Sequence, residues 1–275
     1  MTYNWISILL FIIFLILILS NNNCKNKSDY KSKNKIAIAL LTVKPNNIWL
    51  KFLLTFINNY DVYIFIDDNN IDLTDYKNNF PELNFIQINN NECFINGYSN
   101  SSYIIKTDPI SWDKALYYFS VVNKNYDNVW FTEDDVYIDS VNNLLYLDNK
   151  FNNSDLIVKS NIINNNGKIN DWHHWSQVED TLKLPWSMSM VCICRLSKEL
   201  LKNINNYTKK FKKLNFIEFL FNTIALHNNL IISNPIEFEP ILYRNNWDIN
   251  KINRNYFYHP LKNINDHEYI RSNNK

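Results

Sequence analysis

The chain has 275 residues, 46% of them apolar and 15% aromatic, with a formal net charge of +1. That length holds one domain of ordinary core size plus a short appendage, and the composition excludes a disordered chain. Near-neutral charge gives no electrostatic ground for nucleic-acid binding, so no nucleic-acid partner is expected.

The first feature is apolar. Trp5 to Leu19 contains no polar side chain except Ser7, and no charge precedes Lys25. The run falls a little short of the roughly 20 residues of a spanning helix, although Tyr3 and Trp5 suit an interfacial anchor. A cleaved signal peptide competes with this reading, but there is no basic leading region and no small-x-small cleavage site. The expectation is a single-pass N-terminal membrane anchor over residues 1–20. The lysines at 25, 27, 31, 33 and 35 favour a cytoplasmic domain, whereas an enzyme of the secretory lumen needs the opposite, so the side of the membrane stays open. Residues 21–34 are polar and aperiodic and read as a linker, leaving 35–275 as the folded domain.

Within that domain, Lys35 to Val43 is a continuous apolar run of strand length, ended by Pro45. Asn47 to Asn58 has helical spacing, Tyr60 to Ile66 is a second strand that ends in Asp67-Asp68, and Leu83 to Ile88 is a third. Pro109 to Val122 reads as a helix with proline near its first turn. A fourth strand, Asn128 to Thr132, runs straight into Glu133-Asp134-Asp135. This alternation predicts βαβ units and a mainly parallel sheet, with ligands bound beyond the carboxyl ends of the strands. Farther on, Leu184 to Arg195 is strand-like, a helix starts at Ser197, and Phe216 to Leu226 is an apolar helix carrying one acid, Glu218. The cysteines lack a zinc-site spacing, and Cys192 and Cys194 read as core residues on one face of a strand.

Three adjacent carboxylates at the end of a buried strand repel one another and need a cation or donors in compensation. A hard divalent cation facing a phosphate is the commonest use of such a group. The stretch Trp130 to Val136 resembles the acidic "DxD" element that ends the fourth strand of GT-A-fold, nucleotide-sugar-dependent glycosyltransferases. Trp112 to Phe119 is similar to the helix leading into that element. The triplet is a Glu-Asp-Asp variant, so its first ligand position departs from the commonest pattern.

The resemblance implies an α/β, GT-A-like (Rossmann-like) mostly parallel sheet flanked by helices, and a glycosyltransferase domain over 35–275. It implies Mn²⁺ or Mg²⁺ as cofactor, a nucleotide-sugar donor, and a glycan, protein or lipid acceptor. Asp135 and Glu133 are then metal ligands, and Asp134 lies nearer the donor sugar or ribose. His259 and Lys262 match a histidine that completes the metal site and a lysine that contacts the diphosphate, with His267 as the rival ligand. Thr42 and Lys44 follow the first strand where the nucleotide is cradled. Asp67, Asp68 and Lys114 are further donor-binding candidates. Glu218, isolated in its apolar helix, is the candidate general base, because burial raises a carboxylate's pKa; Glu179-Asp180 is its rival. Trp172, Trp175 and Trp186 fit either a sugar-stacking platform or core packing. The competing function classes are a metal-dependent phosphohydrolase or nuclease, which ordinarily needs more acids and histidines for two metals, and a non-catalytic glycan-binding relative.

Overall fold

The computed structural model describes residues 35–102, 108–178 and 181–273. All described residues belong to one compact unit, Lys35–Lys275. The expected anchor over 1–20 lies outside the described residues. Among the described residues no helix is long and apolar enough to cross a membrane. The expectation of a single-pass membrane protein is corrected to that extent: no helix among the described residues supplies a membrane span.

The domain is built on one seven-stranded sheet. Its strands are β1 (Ile36–Thr42), β2 (Asp61–Ile66), β3 (Asn84–Ile86), β4 (Asn128–Glu133), β5 (Leu156–Ile157), β8 (Ile193–Ser197) and β9 (Ile232–Ser233), in the spatial order β3-β2-β1-β4-β8-β5-β9. A separate two-stranded sheet pairs β6 (Ile162–Asn164) with β7 (Trp186–Met188). Strands β1 to β4 are mutually parallel, and β8 runs antiparallel between β4 and β5. The mostly parallel sheet is therefore as expected, but the run Leu184 to Arg195 is not one strand. It divides between β7 and β8, which belong to different sheets.

Side chains of the central strands alternate between two cores, as the two-residue period requires. Ala37, Ala39, Val129 and Phe131 face one core. It is covered by α4 (Ser111–Tyr117), α6 (Lys198–Phe211) and α7 (Ile217–His227). Ile38, Leu40 and Trp130 face the other core, covered by α1 (Asn47–Leu53) and α5 (Val141–Lys150). α2 (Thr74–Asn79) and α3 (Asn90–Ile95) flank β3, and α8 (Ile264–Ser272) closes the chain beside α1. Burying each large apolar side chain contributes roughly 1.5–3 kcal/mol, so the two layers fix the register of the sheet. The same alternation aims Glu133 at the α4 face, two residues beyond Phe131.

Candidate functional site

The acid triplet stands at the carboxyl end of β4, between β1 and β8. The Glu133 N–H donates to the Cys192 carbonyl at 2.9 Å, carrying the β4–β8 pairing one residue past the strand. Beyond it the chain turns, and the C-terminal segment is stitched to it. Tyr137 N–H donates to the Tyr258 carbonyl (2.8 Å), and Leu261 N–H donates to the Asp135 carbonyl (2.7 Å). Those two bonds straddle His259 and deliver its ring to the acids. His259 Nε2 lies 3.3 Å from Asp135 Oδ1 and 3.8 Å from Glu133 Oε2. Its Nδ1 pairs with the Leu242 carbonyl at 2.7 Å. A carbonyl can only accept, so Nδ1 carries a proton; Nε2 faces the carboxylates, where its own proton donates to Asp135 and loss of that proton frees a lone pair for a cation.

Each acid is held differently. Trp112 Nε1 donates to Glu133 Oε1 at 2.7 Å, with the indole stacked on Phe131. The Thr42 hydroxyl donates to Asp134 Oδ2 at 2.5 Å, and Trp49 Nε1 donates to the Asp134 carbonyl at 2.7 Å. Glu133 lies on the floor of a concave cleft: protein surrounds it, yet its side chain keeps 32% exposure. Burial pushes its carboxyl up to about 7; the Trp112 bond opposes this and Asp135 adds to it. Burial likewise raises Asp134, against the Thr42 bond. For His259 burial acts downward, but Asp135 and Glu133 outweigh it and the ring is raised.

Two cavities open around these groups, and a third adjoins them. One, of about 290 Å³, is lined by Glu133, Asp135, His259, Lys262 and, from the start of α7, Glu218. Burial, and then Glu133, lift Glu218 to about 7. A second cavity, of about 410 Å³, is lined by Thr42, Lys44, Trp49, Asp134, Asp135 and Lys262. A third and larger one, of about 820 Å³, lies along Tyr243, Arg244, Trp247 and Lys262, away from the acids. Asp135 and Lys262 are shared by the first two, so one continuous cleft passes from the end of β1 across the acids to α7.

The fold thus gathers Thr42, Lys44, Glu133, Asp134, Asp135, Glu218, His259 and Lys262 around one cleft, although they span more than two hundred residues of sequence. Asp67, Asp68 and Lys114 do not line these cavities. Lys114 Nζ is fully buried, donates to the Asp67 carbonyl (2.6 Å) and Asn69 Oδ1 (3.1 Å), and sits 3.6 Å from Asp67 Oδ1. His267 is buried behind the site, its Nε2 on the Leu261 carbonyl at 2.6 Å. Trp175 and Trp186 are buried and stack on each other, which favours their core-packing reading. Glu179-Asp180 lies outside the described residues. Sequence reasoning overlooked Cys192, which joins Glu133 and His259 in a group whose potential ligand atoms all lie within 4.8 Å of one another. It also overlooked the donors Trp112 and Trp49. No spacing signal announces these residues, because their partners are remote in sequence and meet only through strand pairing.

No protein-family profile and no curated protein sequence matches the chain. Solved structures similar to it include 4-diphosphocytidyl-2C-methyl-D-erythritol synthase from Anaerococcus prevotii, at 10% identity and TM-score 0.43, covering 87% of this chain and 98% of that one. Others are glycosyltransferases. The galactosyltransferase LgtC, solved with donor and acceptor sugar analogues, matches at 10% identity and TM-score 0.43, over 74% of each chain. Mouse xyloside xylosyltransferase 1 matches at 9% identity and TM-score 0.37, over 74% of this chain and 86% of that one. Glycosyltransferases are therefore found among the structures similar to this chain, at a level of similarity on which no argument about its chemistry rests.

Proposed function

We propose that this chain is a metal-dependent glycosyltransferase that moves a sugar from a nucleotide-diphosphate sugar to a glycan, protein or lipid acceptor. The observation that carries the reading is the convergence of Asp135, Glu133 and His259 Nε2 at a strand's carboxyl end, with Glu218 on the same cavity. Two carboxylates and a neutral imidazole nitrogen fit a divalent ion such as Mn²⁺, and fit Mg²⁺ through the carboxylates. When bound, such an ion supplies Lewis-acid neutralisation of the leaving diphosphate.

The chain's own groups supply the rest. The Leu242 carbonyl holds the His259 tautomer, and Trp112 fixes the rotamer of Glu133. Lys262, at the junction of the cavities, brings an ammonium to the diphosphate. Thr42, Lys44 and Asp134 bind the nucleoside side of the donor, where Asp134 is pre-oriented by Thr42. Glu218 takes the proton of the acceptor hydroxyl as that oxygen attacks. A carboxyl raised to about 7 makes a stronger base than an ordinary one while remaining ionised above neutral pH. The apolar wall of the cavity around Phe216 and Ile217 limits competing attack by water.

The test is release of nucleoside diphosphate from a panel of nucleotide sugars with Mn²⁺, with and without added acceptor glycans. Release that is abolished by chelator and by Asp135→Ala is expected. Silence across the whole panel overturns the reading.

A further inference from the structure

Cys192 lines the cleft beside Glu133 and His259, and a hard-cation site has no use for its sulfur. We propose that Glu133, Cys192 and His259 form a second, overlapping site for a thiophilic divalent cation of the Zn²⁺ type, whose occupation excludes the hard cation. The inference does not depend on which group the cleft transfers.

The donor set is one oxygen, one sulfur and one nitrogen, with ligand atoms all within 4.8 Å of one another. Zinc bonds of about 2.0–2.3 Å in a tetrahedron place their ligands roughly 3.3–3.8 Å apart, so a small inward adjustment of side chains closes the site. The backbone that carries the donors is already fixed. Glu133 and Cys192 are joined by their own N–H to carbonyl bond at 2.9 Å, and the segment bearing His259 is held by the Leu261 to Asp135 bond at 2.7 Å. The Leu242 carbonyl at 2.7 Å from Nδ1 is the outer partner that metal-binding histidines ordinarily have. Cys192 is only 4% exposed, which shields the thiol from larger oxidants. Asp135, 3.3 Å from His259 Nε2, stands within reach of the fourth position.

Mn²⁺ and Mg²⁺ prefer oxygen and gain little from sulfur, whereas Zn²⁺ gains most from a thiolate. On binding, the S–H bond is replaced by an S–Zn bond and the proton passes to solvent. Both ions need Glu133 and His259, so one displaces the other.

Cobalt(II) is the probe for the full-length, reduced chain. A thiolate-to-cobalt charge-transfer band in the near ultraviolet is expected for the native protein and absent in Cys192→Ser. Zn²⁺ affinity, measured against a chromophoric chelator, is expected to fall by more than about 100-fold in Cys192→Ser, since even outer-shell changes cost roughly 10- to 100-fold. Mn²⁺ affinity of the same variant should stay within about threefold, because its oxygen and nitrogen ligands remain; this also reports that the variant is folded, and Cys192→Ala serves if it is not. Lack of the band in the native chain, or equal Zn²⁺ affinity in both variants, overturns the proposal. Neither readout requires sugar transfer, so failure of the transferase reading remains distinguishable.

Discussion

Two strands of the sheet, β2 and β4, end in acids at the same edge, and they solve the electrostatic problem differently. At the end of β2, Asp67 has a cation of its own: Lys114, fully buried, lies 3.6 Å from its carboxylate and donates to its carbonyl and to Asn69. At the end of β4, the donors to the triplet are an indole, a hydroxyl and an imidazole. Among the described residues, no lysine or arginine forms an ion pair with those three acids. An acidic strand end with an internal cation is closed on itself. One without it leaves its carboxylates at a cavity to neutral donors and a titratable imidazole, which is the condition for binding a cation from outside.

The largest expected effect breaks the β4 end. Asp135→Ala should lower metal-dependent turnover of the nucleotide sugar by about 10³-fold or more, since Lewis-acid stabilisation of this kind is worth several kcal/mol. Melting temperature should change little, and Mn²⁺ should no longer raise it. Next comes the β2 end. Lys114→Met should destabilise the fold by about 3–5 kcal/mol, the cost of stripping one partner from a buried pair, as read by denaturant titration. Mn²⁺ affinity should persist below the new melting point, and Asp67→Asn added to it should recover part of the loss. If Lys114→Met instead abolished Mn²⁺ binding while leaving stability intact, the two strand ends would not differ as argued.

A smaller effect concerns pH. Glu218 is raised to about 7 by burial, against an ordinary value of about 4.3 when unfolded. Between those values the folded state binds more protons than the unfolded state. The group's contribution to stability is therefore present below the unfolded pKa and is lost as pH rises through about 7. Glu133, also raised to about 7, acts in the same direction. Glu218→Gln should melt at a higher temperature than the native chain at pH 8 and at a similar one at pH 4. As the general base, Glu218 should also give kcat/KM a rise through about pH 7 that the glutamine variant lacks.

What could be read from sequence divides along the same physical line. β1 to β4, their alternation with helices, and the acid triplet at the end of β4 are local patterns: hydrophobic runs, a two-residue period and charge at a strand end. They were legible. The triplet's partners were legible only in part. Glu218 stands out as the one acid of an apolar helix and His259 only through the family resemblance, and no local pattern pairs either with residues a hundred positions away. Cys192 reads as core and is buried in one, beside Ile38 and Trp130; what no local pattern shows is that β4–β8 pairing also brings its sulfur near Glu133 and His259. Lys114 was a donor-binding candidate because it lies on the helix before the motif, whereas the structure occupies it with Asp67. Helical phase alone could not distinguish those two destinations.

The smallest expected effect tests whether the cation partner of the β4 end is one particular histidine. His259 and His267 belong to the same C-terminal segment, and residue type alone does not choose between them. Their surroundings do. His259 is anchored through Nδ1 and turns Nε2 to the acids. His267 spends Nε2 on the Leu261 carbonyl, and its ring packs edge-on against Trp49 and Tyr137. Burial, the largest influence on it, depresses its pKa to about 4, so it stays neutral across the working range. It supports the wall behind Asp135 and cannot reach an ion without breaking that bond. Mn²⁺ affinity measured by calorimetry should therefore stay within about twofold in His267→Gln and fall at least about tenfold in His259→Gln, as expected for losing a ligand. Equal losses in the two variants would mean that the metal site is assembled differently from the arrangement around Asp135.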